Sequence, residues 1–357
     1  MKSKIKGMKI GIDISQIVYG TGVSEYTRSL VENLLKIDPE SEYVLFAGFL
    51  RRGNEILKIF PQAKIFPIPP TLADLVWNRL HIFPIEKLIG QLNVFHSSDW
   101  TQPPSKCHKV TTIHDLAPLV LPKLTDPKIT AVHTRRLKWV VKEVEKIIVP
   151  SEATRKDLLQ FNIKEDRVTV IPEAAGETFR PQSEERINLI KKKYQISGNY
   201  LLAVGIGGRK NTDRIIKAFE LVKAGKDLSL ILVGHANFIH QRGVKALGYV
   251  PENDLVDLYS GASALVYPSI YEGFGLPILQ AFACGCPVVT SNLSSMPEVA
   301  GDAAVLVDPY KTDEIKEGIE KVLRAPKTYI EKGYKQAKSF SWHNTAEKTL
   351  EIYNSFS

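Results

Sequence analysis

The sequence predicts an α/β protein of two domains, each built on a parallel sheet covered by helices on both faces. Three observations predict it. The chain has 357 residues, and at roughly 100–200 residues per domain that length favours two domains. Short apolar runs rich in Val and Ile recur along it, each followed by a segment of helical period, as buried parallel strands with crossover helices require. Midway, GETFRPQSEERIN replaces the apolar period with Gly, Pro and charge, which marks a junction near Arg180.

In the first half the strands are expected at 9–14, 43–48, 63–68, 94–98, 109–115, 146–151 and 168–173. In the second half they are expected at 200–205, 229–234, 247–250, 264–269, 287–292 and 304–309. The final segment, FSWHNTAEKTLEIYNSFS, reads as a helix capped near Ser341 with Trp342, Ala346, Leu350 and Tyr353 on one face. An apolar face of that kind needs a surface to cover it.

Composition narrows the function. Lys plus Arg exceed Asp plus Glu by eight, and the excess is spread over both halves. That suits phosphates or an acidic membrane surface and lacks the concentrated basic block of a nucleic-acid binder. Three cysteines, Cys107, Cys284 and Cys286, are too few for a disulfide framework or a zinc site. A cytoplasmic protein is expected, since MKSKIKGMKIGIDIS interleaves lysines with strand-like residues and has no apolar signal core.

Four segments carry candidate chemistry. In IDISQIVYGTGVSEYTRSL a strand ends, Gly20 and Gly22 make a turn, and an amphipathic helix begins, so that backbone and helix N–H groups can approach an anion. Glu25 stands where the third glycine of a dinucleotide fingerprint belongs, and a plain tight turn explains the glycines equally. In TTIHDLAP, His114 and Asp115 follow a strand at its carboxyl end, the ligand side of an open α/β sheet, with Asp115 expected to orient the imidazole or cap the next turn. In LLAVGIGGRKNTDRIIKAF, Gly205 closes a strand, and Arg209 and Lys210 follow the glycines as paired cations suited to a diphosphate. From Ala246 to Tyr310 there is no Lys or Arg and there are seven Asp or Glu, so countercharge for an anion must come from elsewhere.

The fourth segment, VYPSIYEGFGLPILQAFACGCPVVTSN, is the most specific. Glu272 precedes a Gly273–Phe274–Gly275 loop, Pro277 reads as a first-turn proline, Gly285 as a helix stop, and Gln280 leans back toward the helix N-terminus. Glu272 and Gln280 are expected to flank one anion pocket. Further on, Ser295 to Glu298 spells a capping box.

Through GTGVSEYTRSL, TIHDL, VPSEATRKDL, VGIGGRKN, LGYVPENDLVDLYSGA, YPSIYEGFGLPILQAFACGCPVV and MPEVAGDAA, the chain resembles the retaining glycosyltransferases of family 4, the group 1 glycosyl transferases, nearest to the mannosyltransferase B-like branch. The resemblance implies a GT-B fold of two facing Rossmann-like domains with a cleft between them. The acceptor-side domain would span 1–179 with the helix at 341–357 packed back on it, and the nucleotide-sugar domain 180–340. It implies that Gly20 and Gly22 lie near donor or acceptor, that His114 contacts the donor sugar, and that Gly205, Arg209 and Lys210 meet the diphosphate. Glu272 would hold sugar hydroxyls, amides of Phe274, Gly275 and Leu276 would meet sugar and phosphate, and the turn at Tyr249 and Val250 would read the base. The family's second signature glutamate, a ribose ligand, is Gln280 here.

The implied reaction moves a hexose, mannose favoured, from a nucleoside-diphosphate sugar to a saccharide or polyprenyl-linked saccharide with retention. GDP-mannose is the favoured donor and a UDP-sugar the alternative. No cofactor is implied, and without an Asp-x-Asp triplet no metal is expected. A non-catalytic sugar-nucleotide binder and a sugar phosphorylase or synthase of the same fold are the competing readings. On the acceptor side, KITAVHTRRLKWVVKEVEK offers His133, Arg135, Arg136, Lys138 and Trp139, either to an acceptor (His133, Arg136) or, peripherally, to an anionic inner-membrane surface, with a solvated helix as the plain alternative.

Overall fold

A computed structural model of the chain describes residues 7–356 apart from 21, 49–50, 224–226 and 235–240. The lysine-rich start at 1–6 and Thr21 of the first glycine turn lie outside the described residues. The chain divides into two compact units, Met1–Glu173 with Trp342–Ser357, and Ala174–Ser341. The first junction therefore falls before the expected 179/180. The reason is packing: Phe179 is buried in the core of the second unit, 6.1 Å from the Tyr259 ring, and Thr178 donates to Glu252 Oε1 at 2.7 Å.

The first unit holds a seven-stranded parallel sheet: β1 (Lys9–Asp13), β2 (Glu42–Gly48), β3 (Lys64–Phe66), β4 (Val94–Ser97), β5 (His108–Thr112), β6 (Lys146–Val149) and β7 (Val168–Val170). Its order is β3-β2-β1-β4-β5-β6-β7. The second unit holds six parallel strands, β8 (Asn199–Val204), β9 (Leu228–Val233), β10 (Val244–Ala246), β11 (Ala264–Tyr267), β12 (Val288–Ser291) and β13 (Ala304–Val307), in the order β10-β9-β8-β11-β12-β13. Both sheets are doubly wound. The order reverses between β1 and β4 in one and between β8 and β11 in the other, and beyond the carboxyl ends of such strands lies the ligand crevice of this architecture.

Successive residues of β8 explain why its run is apolar without alternation. Tyr200 and Leu202 enter a cluster with Leu265 and Phe282 on one face, while Leu201 and Ala203 enter another with Phe219 and Ile319 on the opposite face. One strand differs from expectation: 247–250 is not a strand, and Val244–Ala246 pairs with β9 instead. Gly248, at φ 71°, breaks the extended run and makes only an isolated bridge to Gly234.

The closing helix, Trp342–Asn354, belongs to the first unit and packs on the helix Gly22–Ile37. Its buried face is Trp342, Thr345, Ala346, Thr349, Ile352 and Tyr353, with Leu350 only half-buried. Threonines occupy this face because each has an acceptor: Thr345 donates to Pro172 O at 2.7 Å and Thr349 to Thr345 O at 2.8 Å. Tyr353 and His96 are 2.6 Å apart, hydroxyl to Nδ1, and His96 Nε2 meets Thr112 Oγ1 at 2.9 Å. Burial, with the positive charges of His114 and Arg136, pushes His96 down to about 3, so it stays neutral.

Candidate functional site

In the second unit the loops after β8 and β11 meet at the reversal point. Gly205 leaves β8 at φ 83°, and a Cβ there would lie 2.8 Å from Cε of Lys210, so glycine leaves room for the lysine stem. Asn211, at φ 61°, fixes the end of this loop by donating to Pro309 O at 2.6 Å and Pro268 O at 3.1 Å. Ile270 N donates to Arg209 O at 2.9 Å. Two loops remote in sequence are thus tied together.

Glu272 joins the two cations. Its Oε1 accepts from Lys210 Nζ at 2.6 Å and its Oε2 from Arg209 Nη1 at 3.0 Å. Arg209 also donates to Tyr271 O at 3.0 Å, and Lys210 to the Tyr267 hydroxyl at 2.6 Å. Burial works to raise the Glu272 carboxyl, but the charges of Lys210 and Arg209 and the hydrogen bond from Lys210 outweigh it and hold the group below its ordinary value. Burial and the Glu272 charge push the Tyr267 phenol well above its ordinary value, so its hydroxyl keeps its proton.

Beside Glu272 the chain turns through Gly275, at φ 108°, into the helix Leu276–Ala283 with Pro277 in its first turn. The N–H groups of Phe274, Gly275 and Leu276 make no hydrogen bond among the described residues, as expected of a helix N-terminus, and such groups favour an anion. Two serines hold this loop, Ser294, which the sequence reading missed, and Ser295, which it placed in a cap. Ser295 Oγ lies within hydrogen-bond reach of Glu272 O at 2.9 Å and Phe274 O at 2.7 Å, and Ser294 Oγ donates to Glu272 O at 2.6 Å. The expected capping box at Ser295 is therefore corrected: its hydroxyl makes no cap bond, because buried loop carbonyls claim it.

Gln280 lies buried on the same helix, where its Oε1 accepts from Tyr259 at 3.2 Å. Tyr249 is exposed while Val250 enters the core of the unit. Of the residues expected at the donor, Gly205, Arg209, Lys210, Glu272, Phe274, Gly275 and Leu276 are thus gathered around one reversal point.

In the first unit His114 follows β5. Its Nδ1 donates to Glu173 Oε1 at 3.2 Å, the Tyr26 ring stands edge-on at 4.5 Å, and its Nε2 is buried without a hydrogen-bond partner. Burial works to lower its pKa, and the Glu173 hydrogen bond with the charges of Glu173, Asp99 and Asp115 outweighs it, leaving His114 above its ordinary value. Glu173, which the sequence reading missed, orients the imidazole. Asp115 Oδ1 instead accepts from Ala117 N at 2.9 Å and caps the next turn. Gly20 sits at φ 71° and Gly22 opens the following helix.

The helix Pro127–Glu143 corrects the acceptor-side expectation. Arg136 is buried, donating to Thr111 Oγ1 at 2.6 Å and Asp99 Oδ1 at 3.2 Å, and is closed to an acceptor. Arg135 is bidentate to Asp74, Trp139 donates to Asn78 O at 2.8 Å and stacks on His81, and His133 packs near Trp100. Burial pushes His133 below its ordinary value. Of the five side chains, only Lys138 is exposed. Among the described residues no group of three or more His, Cys, Asp or Glu is placed to hold a metal ion, and no helix is long and apolar enough to cross a membrane.

Two doubly wound sheets, one with paired cations and a helix N-terminus at its reversal point, make an α/β architecture with a candidate anion site in the second unit. Comparison with known proteins states the family. Glycosyltransferase Family 4 matches residues 20–174 and Glycosyl transferases group 1 matches residues 187–339. The O-antigen chain mannosyltransferase B of Escherichia coli is 32% identical over 73% of this chain and 74% of its own. The serotype-specific mannosyltransferase WbdA of Escherichia coli is 31% identical over 68% of this chain, which spans only 33% of that protein. The chain belongs to the group 1 glycosyl transferases of family 4. Solved structures show the same GT-B fold: sucrose-phosphate synthase from Thermosynechococcus elongatus has TM-score 0.77 at 18% identity, covering 98% of both chains. Anabaena HepE in complex with UDP-glucose has TM-score 0.75 at 15% identity, covering 98% of this chain and all of that one.

Proposed function

We propose that this glycosyltransferase moves a hexose, mannose favoured, from a nucleoside-diphosphate sugar to a saccharide or polyprenyl-linked saccharide, with retention and without a metal. The observation that carries the reading is the Arg209–Glu272–Lys210 bridge beside the unpaired N–H groups of Phe274, Gly275 and Leu276. A diphosphate is a ligand that can draw both cations while those N–H groups donate to its oxygens. Glu272 is then released to take hydroxyls of the sugar.

The acceptor oxygen forms a bond to the anomeric carbon on the face from which the diphosphate departs. The anomeric carbon–oxygen bond breaks with its electron pair going to the diphosphate, and a departing phosphate oxygen takes the acceptor proton. Arg209, Lys210 and the helix N-terminus stabilise the charge that develops there, in the manner of an oxyanion hole. Two fixed cations supply the countercharge for which other enzymes use a metal. His114, with Nε2 unpartnered, is assigned to the transferred sugar.

Mannose and GDP-mannose are favoured because the curated relatives are named mannosyltransferases; a UDP-sugar is the alternative, since Anabaena HepE is seen with UDP-glucose. The site of action is the inner face of the cell membrane if the acceptor is lipid-linked. A panel of nucleotide sugars, assayed with and without EDTA and with the product anomer read by NMR, tests all of these. Inverted product, or activity lost to EDTA and restored by a divalent cation, contradicts the mechanism.

A further inference from the structure

The chain leaves the first unit after Glu173 and re-enters it at Trp342, and each of these crossing points carries a residue that bears on His114. Glu173 accepts from Nδ1 of the imidazole at 3.2 Å. Trp342 packs edge-on to the Tyr26 ring at 5.7 Å, and Tyr26 in turn stands edge-on to His114 at 4.5 Å. The closing helix that begins at Trp342 reaches the imidazole by two further routes.

The first route is a buried polar chain. The Tyr353 hydroxyl lies 2.6 Å from His96 Nδ1, His96 Nε2 lies 2.9 Å from Thr112 Oγ1, and Thr112 Oγ1 lies 3.0 Å from the Tyr26 hydroxyl. All four side chains are buried. His96 stays neutral, and a neutral imidazole has one donor nitrogen and one acceptor nitrogen, so it passes a hydrogen bond from one neighbour to the next. The second route is shorter: Thr345 donates to Pro172 O at 2.7 Å and so fixes the backbone one residue before Glu173. Apolar side chains would seat a helix on a sheet equally well. A buried polar chain is costly unless its members are bonded, and once bonded it admits few geometries. Here that geometry ends at His114.

We infer that Tyr353 and Thr345 of the closing helix are positioning residues for His114. Tyr353, through His96 and Thr112, fixes the Tyr26 ring against the imidazole, and Thr345 fixes the backbone that carries Glu173. This rests on the reading of His114 as the group that meets the transferred sugar. Tyr353 and Thr345 are both buried and act through the imidazole, whose Nε2 is the atom left without a protein partner.

NMR of the full chain carrying labelled histidine, with His114→Gln to locate the His114 signal, tests this beside steady-state kinetics. Tyr353→Phe and Thr345→Val should each shift or broaden the His114 ring signals of the ligand-free chain. Each should also lower kcat by about tenfold, with KM for the nucleotide-sugar donor within about twofold of the parent value. Tyr26→Phe cuts the same path as Tyr353→Phe, so the two together should cost no more than the larger single loss, whereas Tyr353→Phe with Thr345→Val should approach the product of both. Ile352→Val, a buried apolar change on the same helix, reads loosened packing alone: it should lower Tm and leave the His114 signals and kcat unchanged. His114 signals unmoved by Tyr353→Phe and Thr345→Val, or moved as far by Ile352→Val, overturn the inference. So does a Tyr26–Tyr353 double loss equal to the product of the single losses. Signals that move while kcat holds support the positioning and instead sink the assignment of His114 to the sugar.

Discussion

Glu173 Oε1 accepts from Nδ1 of His114 at 3.2 Å across 59 positions of sequence, and so decides both the tautomer and the charge of the imidazole. With Nδ1–H committed to the carboxylate, Nε2 is the atom left to meet a ligand. Under the proposed function an imidazolium would donate there to a sugar oxygen, and a neutral imidazole would accept from a hydroxyl.

The first prediction concerns that proton. His114 has a pKa above its ordinary 6.5 in the folded chain, so proton binding stabilises the fold. The contribution is fully present below about pH 6.5 and is lost as pH rises through the folded value. Glu173→Gln keeps the burial and removes the carboxylate, so the His114 pKa should fall and the decline of Tm above neutrality should flatten. NMR titration of the His114 ring checks it; a titration at or below 6.5 in the unmodified chain contradicts the assignment.

Second, Lys210→Ala should lower kcat by about 10²–10³, the usual cost of removing one donor aimed at developing charge. Arg209→Ala should show a smaller loss. Each variant leaves Glu272 one cation, so the fold should survive, which circular dichroism verifies. Steady-state kinetics that leave kcat unchanged in Lys210→Ala would return this lysine to a purely structural role.

The third prediction follows from the loop clamp. Ser295→Ala removes the one hydroxyl that lies between the carbonyls of Glu272 and Phe274. Ser294 still donates to Glu272 O, and leaving the Phe274 carbonyl short of a donor costs about 1–3 kcal/mol. The loop bearing Glu272 should loosen as well, raising KM for the donor more than it lowers kcat. Urea titration and donor kinetics test the two parts separately, and a variant as stable as the parent would mean that Ser294 suffices.

How much of this was legible in the sequence depends on the range of the forces involved. The strands of β8, β11 and β12 were readable because unbroken Val, Leu and Ile runs report burial on both faces. The cation loop and the Gly275 turn were readable because charge and backbone freedom are local. Glu173 was not, since its partner lies two strands away across β6. Ser295 was misread because Ser-x-x-Glu is a local signal for a cap, and nothing local shows two carbonyls arriving from another loop. Arg136 looked like a surface cation because a helical period says which face is apolar, not that Asp99 and Thr111 wait beneath it.

Gln280 supplies the last prediction. Gln280→Glu should tighten binding of the nucleoside diphosphate while lowering the Tm of the ligand-free chain. The amide oxygen accepts from Tyr259 in a buried setting, and a carboxylate placed there is penalised by desolvation until a ligand arrives. If position 280 meets the donor ribose, as the family resemblance implies, the ribose hydroxyls would donate to a charged acceptor, a bond of about 1.5–3 kcal/mol against about 1 kcal/mol for a neutral pair. Repulsion of the diphosphate is the opposing effect, and Lys210 and Arg209 stand ready to screen it. Calorimetric titration with the nucleoside diphosphate, paired with thermal unfolding without it, reads both terms. Weaker binding by the glutamate variant would show that the Tyr259–Gln280 pair is built around the neutral amide.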